Sequence, residues 1–268
     1  MLFLTCLLLN LALLFRLGCA DSIPVAPAPW VLDVSEGYIF VVLPPLSPAF
    51  LPPGWANPLE EPELRPGVIL PDIGLMMLVR YAAGPVGPYD ELIYIPGRWA
   101  YNLTDSGLRI TQIYVSTNAS VFNGRTNWNI PKHLAVFNFT STDGSTSVTV
   151  SPPDDLAHPH FAVNLTPTIG PIPIQVNSTL TGNYLTLIQP SFPASQTNEV
   201  EVGTTTWKQL LLNVKTETIS ASLISGALPG GRIGNGVGYP DIAPLLPIGA
   251  KLSGTLIFPE PTIVPNLF

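Results

Sequence analysis

The chain has only two cysteines, Cys6 and Cys19, and both fall within its first twenty residues. A protein released from that segment has no thiol for a disulfide, so its fold rests on its core alone. Charge is scarce too. Asp, Glu, Lys and Arg make up 11% of the 268 residues, against about 25% in ordinary soluble domains. Basic residues are the rarer sign: beyond residue 20, ten face eighteen acidic ones, a balance that speaks against nucleic acid or an anionic membrane as partner. There is no Gly-x-Ser-x-Gly elbow, which disfavours a serine hydrolase. Internal repeats, heptads and low-complexity tracts are missing as well.

Proline is plentiful. Thirty-one prolines are spread along the chain, and each one inside a helix would cost about 3 kcal/mol, so long helices are excluded. Between them lie runs rich in β-branched and aromatic residues, bounded by Gly, Pro, Asn or Ser. They are Val31 to Leu43, Leu75 to Tyr81, Glu91 to Ile95, Leu108 to Val115, Leu134 to Thr140, Ser145 to Val150, Phe161 to Leu165, Leu180 to Ile188, Trp207 to Thr218 and Lys251 to Phe258. Arg109-Ile110-Thr111-Gln112-Ile113-Tyr114-Val115 alternates as a strand with one buried face would. The pattern predicts a mainly β fold with few short helices, in a single domain over 21–268. The stretch from Pro44 to Pro71 reads as a surface connection, because too little chain precedes it to form a core.

Residues 1–20 form a leucine-rich run ending Leu17-Gly18-Cys19-Ala20, the small-residue pattern of a secretory signal peptide; a retained membrane anchor is the alternative. Five glycosylation triplets follow, at Asn102, Asn118, Asn138, Asn164 and Asn177. Together they predict a secreted glycoprotein, or one held in the lumen of a vesicle or vacuole, whose glycans cover a weakly charged surface. Asn138 is expected to be the least accessible because it lies close to the segment described next.

Of four lysines, Lys132, Lys208, Lys215 and Lys251, only Lys132 sits between a proline and an apolar run, Leu134 to Phe137. No carboxylate lies near it in sequence. Only a neutral amine attacks a ketone, and a solvated lysine titrates near 10.4. Lowering that by about three units costs roughly 4 kcal/mol, which burial or a neighbouring cation must supply. His133 is such a neighbour, but its charge would fade above pH of about 6.5. In an extended segment it also points to the opposite face from Lys132, which leaves burial as the expected cause. The competing reading is a lysine whose stem covers apolar surface while its head reaches water.

The stretch Gly124-Arg125-Thr126-Asn127-Trp128-Asn129-Ile130-Pro131-Lys132-His133-Leu134 resembles the active-site signature of the acetoacetate decarboxylase family, roughly Gly-Arg-Glu-x-Trp-Gly-Phe-Pro-Lys-Lys-Leu. Upstream, Tyr89-Asp90-Glu91 followed by an apolar strand resembles the family's Tyr-x-Glu. The likeness is strong from Gly87 to Phe139 and diffuse elsewhere. It implies a large antiparallel sheet curled into an open barrel, with Lys132 as imine-forming nucleophile and Glu91 as a proton-handling group. Arg125 would be an anion contact or a brace, and Trp128, Ile130 and His133 would line the pocket. His133 in place of the second lysine and Thr126 in place of glutamate depart from the family. Its N-terminal arginine has no counterpart, since the first basic residue after the leader is Arg65.

The resemblance implies a Schiff-base lyase that decarboxylates a small β-keto or oxo acid without metal or cofactor, in a family that often forms oligomers. The Asn-Trp-Asn-Ile-Pro-Lys-His variant resembles fungal members, which implies a role in secondary metabolism. Aldol, dehydration or cyclisation chemistry at the same lysine is a second reading. A non-catalytic barrel binding an apolar small molecule is a third. His158-Pro159-His160 with Asp154 and Asp155 reads as a polar loop rather than a metal site, for want of a third ligand elsewhere. The glycine cluster from Gly230 to Gly238 joins no strand to a helix; it reads as a flexible loop or lid, with Arg232 as a candidate anion contact.

Overall fold

Buried and exposed residues alternate from Trp30 to Ser35, giving β1 (Trp30–Val42) a core face. A register shift between Val34 and Gly37 then moves the buried set from Trp30, Leu32 and Val34 to Tyr38, Phe40 and Val42, so one strand feeds two cores. The computed structural model describes residues 23–101, 105–178 and 182–266; the leader and Asn102 lie outside them. The other strands are β2 (Val68–Ile69), β3 (Gly74–Ala83), β4 (Tyr89–Ile95), β5 (Arg98–Ala100), β6 (Ser106–Leu108), β7 (Gln112–Val115), β8 (Lys132–Leu134), β9 (Val136–Thr142) and β10 (Ser145–Ser151). They continue with β11 (Phe161–Ile172), β12 (Thr186–Gln189), β13 (Trp207–Leu211), β14 (Asn213–Gly226), β15 (Ile248–Phe258) and β16 (Thr262–Val264). The helices are α1 (Glu61–Leu64) and α2 (Asn118–Trp128).

Ten strands form one sheet in the order β8-β7-β4-β3-β1-β15-β14-β11-β10-β9. Its two edge strands are separated in the chain by Ala135 alone. Consecutive Cα atoms are about 3.8 Å apart, so the edges meet there and the sheet curls into a nearly closed barrel. The sheet is antiparallel except where β8 runs parallel to β7, which corrects the expectation of an antiparallel sheet. The two are joined by a crossover through α2, and such a crossover brings the chain back in the same direction. A second sheet has the order β16-β13-β12-β6-β5-β2.

The two faces of the large sheet serve different cores. Tyr38, Phe40, Leu78, Leu92, Tyr94, Val148 and Val163 come together within the curl. On the other face, Val79, Tyr81, Tyr89, Ile93 and Ile113 pack against Val121 and Trp128 of α2 and against Leu108, Leu187 and Leu210 of the second sheet. An apolar cavity of about 120 Å³, walled by Val79, Ile93 and Ile110 among others, remains between the sheets. Each aliphatic or aromatic side chain fully buried here contributes about 1.5–3 kcal/mol.

The expected strand from Leu108 to Val115 is instead two, β6 and β7 in different sheets, and burial is continuous from Gly107 to Val115. Arg109, at the crossing, is fully buried. Its guanidinium lies 4.3 Å from the Trp99 ring centre and 4.9 Å from that of Tyr101, and it donates to the carbonyls of Leu64 and Pro66. The supposed surface connection from Pro44 to Pro71 likewise buries Trp55, Glu60 and Leu64. Of the described acceptor asparagines, Asn118, Asn138 and Asn177 are exposed and Asn164 is half-buried. Asn138 is accessible because it stands on β9, at the sheet's edge. No described helix is long and apolar enough to cross a membrane.

Candidate active site

Sequence reasoning did not anticipate α2, whose eleven residues are mostly polar or small. Thr117 caps it, its hydroxyl accepting from the Ser120 amide. The helix ends where Asn129 takes a left-handed conformation, φ 55°, with its amide donating to the Arg125 carbonyl, a normal way to stop a helix. The buried Asn129 side chain donates to the carbonyls of Pro190 and Thr206. Pro131 cannot extend the helix, and the chain enters β8 with Lys132.

Lys132 is 2% exposed and projects toward α2. Its Nζ donates to Glu91 Oε2 at 2.7 Å and to Ser120 Oγ at 3.0 Å and lies 5.1 Å from the centre of the Tyr89 ring. Glu91 is 1% exposed, and its Oε1 accepts from the Tyr81 hydroxyl at 3.0 Å. Burial, then the Glu91 charge, pushes the Tyr81 hydroxyl well above the ordinary phenol range, so it remains a donor. The tertiary structure thus supplies the carboxylate that the local sequence lacked: Glu91 reaches Lys132 across 41 residues. The Tyr89 hydroxyl is buried and makes no hydrogen bond; it neighbours the Ser120 hydroxyl without meeting hydrogen-bond geometry. An unsatisfied buried hydroxyl costs about 1–3 kcal/mol.

Gly124 makes room for the lysine. A Cβ there would sit 2.5 Å from Lys132 Cδ and 2.7 Å from Cε, so any larger residue displaces the stem. Gly124→Ala improves helix propensity by about 1 kcal/mol while pushing Nζ from its partners. We expect a thermal midpoint within a few degrees of the parent and reactivity of Lys132 toward a carbonyl probe reduced at least about tenfold, since small misplacements are costly in reacting pairs. Labelling rates measured beside melting curves check this.

His133 points to the opposite face, as adjacent residues of a strand do. Its Nδ1 meets Glu201 Oε1 at 2.9 Å and its Nε2 meets Glu60 Oε2 at 3.0 Å. Burial alone would lower its pKa, but the hydrogen bonds and charges of Glu201 and Glu60 outweigh it and hold the imidazole above its usual value. Glu201 is also opposed by burial, and its contact with His133 leaves it below the usual carboxylate range. A folded pKa raised above the unfolded value gives stability that is complete below about pH 6.5 and is lost as pH rises through the folded value. The lowered Glu201 gives the reverse, stability present above the carboxylate range and lost as pH falls. We expect unfolding free energy to decline above neutrality by about 1.5–3 kcal/mol, the worth of hydrogen bonds to a charged group. Denaturant titrations of the parent and His133→Asn across pH 6–9 check this; equal slopes in both would refute it.

Arg125, also fully buried, faces neither an open cleft nor the Lys132 amine. Its Nη1 is 2.8 Å from Glu60 Oε1, and it donates to the carbonyls of Val202, Lys132 and Pro193. Of the two roles offered for it, this geometry is that of a brace. Trp128 donates to the Pro259 carbonyl and packs edge-on against Trp30, ring centres 5.0 Å apart, and Ile130 is fully buried in the same core. Arg232 is exposed and bonds the carbonyls of Pro229 and Asn235 in its own loop. His158 pairs with Asp155, whereas His160 stacks on Tyr114 at 4.9 Å. Among the described residues no group of three or more His, Cys, Asp or Glu could hold a metal ion.

Sequence reasoning missed Ser120, Tyr81, Tyr89, Glu60 and Glu201. The strand alternation Tyr89-x-Glu91 was the available signal for Tyr89, which shares a face with Glu91. The others come from elements 10 to 73 residues from their partners.

No protein-family model matches the chain. No curated protein matches it either. Solved structures do resemble it in fold. The acetoacetate decarboxylase of Legionella pneumophila superposes with a TM-score of 0.57 at 12% identity, over 91% of this chain and 93% of that one. The enduracididine biosynthesis enzyme MppR gives 0.56 at 13%, over 91% of both chains. An acetoacetate decarboxylase-like enzyme of Sphingomonas wittichii gives 0.55 at 12%, over 94% and 98%. The barrel is therefore of the acetoacetate decarboxylase kind.

Proposed function

We propose that the chain is a Schiff-base enzyme in which Lys132 adds to the carbonyl of a small oxo acid, and that its reaction is decarboxylation of a β-keto acid. The observation that carries this reading is a buried lysine held at 2.7 Å from a buried carboxylate, with a glycine in the facing helix making room for its stem. The fold likeness supports it, as does MppR, which has been solved with pyruvate and with a condensation product of pyruvate and imidazole 4-carboxaldehyde.

The chemistry follows from the contacts. Glu91 accepts a proton from the Lys132 ammonium along their hydrogen bond and frees the amine lone pair, as general bases do. Nitrogen adds to the carbonyl carbon, the π pair moves to oxygen, and that oxygen takes one proton from the adding nitrogen and a second from Glu91 and leaves as water, which gives the protonated imine and returns Glu91 to its carboxylate. The protonated imine receives the electron pair released when carbon dioxide departs, giving an enamine. Protonation at carbon and hydrolysis return the ketone and the free lysine. Tyr81 holds the second oxygen of Glu91 throughout. In the second reading the carbon beside the imine loses a proton instead of carbon dioxide, and the resulting enamine adds to an aldehyde; the MppR condensation complex favours it, and carbon dioxide release separates the two. The mature protein, on this proposal, begins at residue 21, travels the secretory route and carries glycans on its exposed acceptor asparagines.

Borohydride trapping with a panel of β-keto acids and pyruvate, followed by peptide mass spectrometry, tests the reading. A reduced adduct on Lys132 is expected. No adduct with any compound, even at alkaline pH where amines are neutral, would sink it in favour of a binding barrel.

A further inference from the structure

Lys132 and Glu91 lie behind the wall of an open cleft and do not line it. That cleft, of about 400 Å³, is walled by Ser35, Arg80, Tyr81, Tyr89, Asp90 and Ser116. Tyr89 belongs to both places, since it lines this cleft and its ring lies over the Lys132 amine. The ring also leans on that of Tyr81, centres 4.6 Å apart.

Two further observations single it out. Its hydroxyl is buried beside that of Ser120 without meeting hydrogen-bond geometry, so replacing it with phenylalanine should cost the fold little. The turn just before it opens to solvent. Gly87 has φ +80° with nothing within 4 Å of where a side chain would stand, and it closes a turn through its amide to the Gly84 carbonyl.

We propose that Tyr89 is the gate and a substrate contact of the Lys132 site: its ring swings aside to admit an oxo acid from the cleft, and its hydroxyl donates a hydrogen bond to the oxygen of the carbonyl that Lys132 attacks. This rests on the imine reading of Lys132. In the addition step nitrogen bonds to carbon and the π pair collects on oxygen, where a donor aimed in advance stabilises the developing charge. The phenol keeps its proton. Burial, and then the Glu91 charge, hold it well above the ordinary range, so it acts as donor and not as base.

Two variants test this in the intact chain. Tyr89→Phe removes only the oxygen and is expected to melt no lower than the parent. Its rate of pyruvate trapping on Lys132 with cyanoborohydride should fall about 10- to 100-fold, the lower part of the range for loss of one such donor. Tyr89→Ala removes the gate and should speed acylation of Lys132 by a small anhydride, which transfers its acyl group and releases the carboxylate, a reaction that needs no enzymatic competence. Tyr89→Phe trapping at the parent rate, or Tyr89→Ala acylated no faster than the parent, overturns the proposal. Should the parent trap nothing, the imine reading fails and the donor role fails with it, while the acylation rates still decide the gate.

Discussion

Lys132→Ala is expected to abolish the reduced adduct altogether and to cost the fold about 3–5 kcal/mol. The first effect follows because no other lysine is buried against a carboxylate: Lys208 donates to the Thr126 carbonyl and Lys251 pairs with the half-buried Glu36. The second follows because Glu91 would keep its place at 1% exposure with its cation removed, and stripping one partner from a buried pair typically costs that much. Of a total stability of about 5–15 kcal/mol, the loss is large. Lys132→Met combined with Glu91→Leu separates the two effects. Replacing both ions with apolar groups of similar volume should recover most of the stability and none of the trapping. Glu91→Gln keeps the shape but removes the charge, so it should also destabilise the fold and slow trapping by about 10²- to 10⁴-fold, the usual worth of a general base. An adduct surviving in Lys132→Ala would mean that another lysine does the chemistry.

Arg125→Ala is expected to be the most disruptive single change away from the reacting groups. Arg125 and Glu60 are both fully buried, and three backbone carbonyls accept from the guanidinium. Alanine leaves Glu60 without its fixed cation and those carbonyls without a donor. A loss of about 3–5 kcal/mol is expected, read as a shift in denaturant midpoint. Arg125→Lys retains the charge but not the planar fork, and is expected to recover less than half of the loss. A midpoint within experimental scatter of the parent in Arg125→Ala would contradict the bracing role.

Local sequence carried a good deal of the fold. The segments written as Val31 to Leu43, Leu75 to Tyr81, Glu91 to Ile95 and Ser145 to Val150 return as β1, β3, β4 and β10 with ends moved by one or two residues, because alternation is a property of neighbours in the chain. The opposite facing of Lys132 and His133 was legible for the same reason. Helix α2 was not, since its Asn, Thr and Gly residues have weak propensity and its stability comes from packing Val121 and Trp128 on the sheet.

The sequence by itself determined that this is a β-rich chain with one lysine in an unusual setting, because composition, turn residues and strand alternation act over a few residues at a time. Only the tertiary structure decided what surrounds that lysine. Closure of the ten-stranded sheet at Ala135 brings the two faces of β8 against different cores, so Lys132 meets Glu91 across 41 residues and His133 meets Glu60 across 73. Such pairings depend on strand order and register, which are fixed by the collective burial of two apolar faces and not by any short stretch of residues.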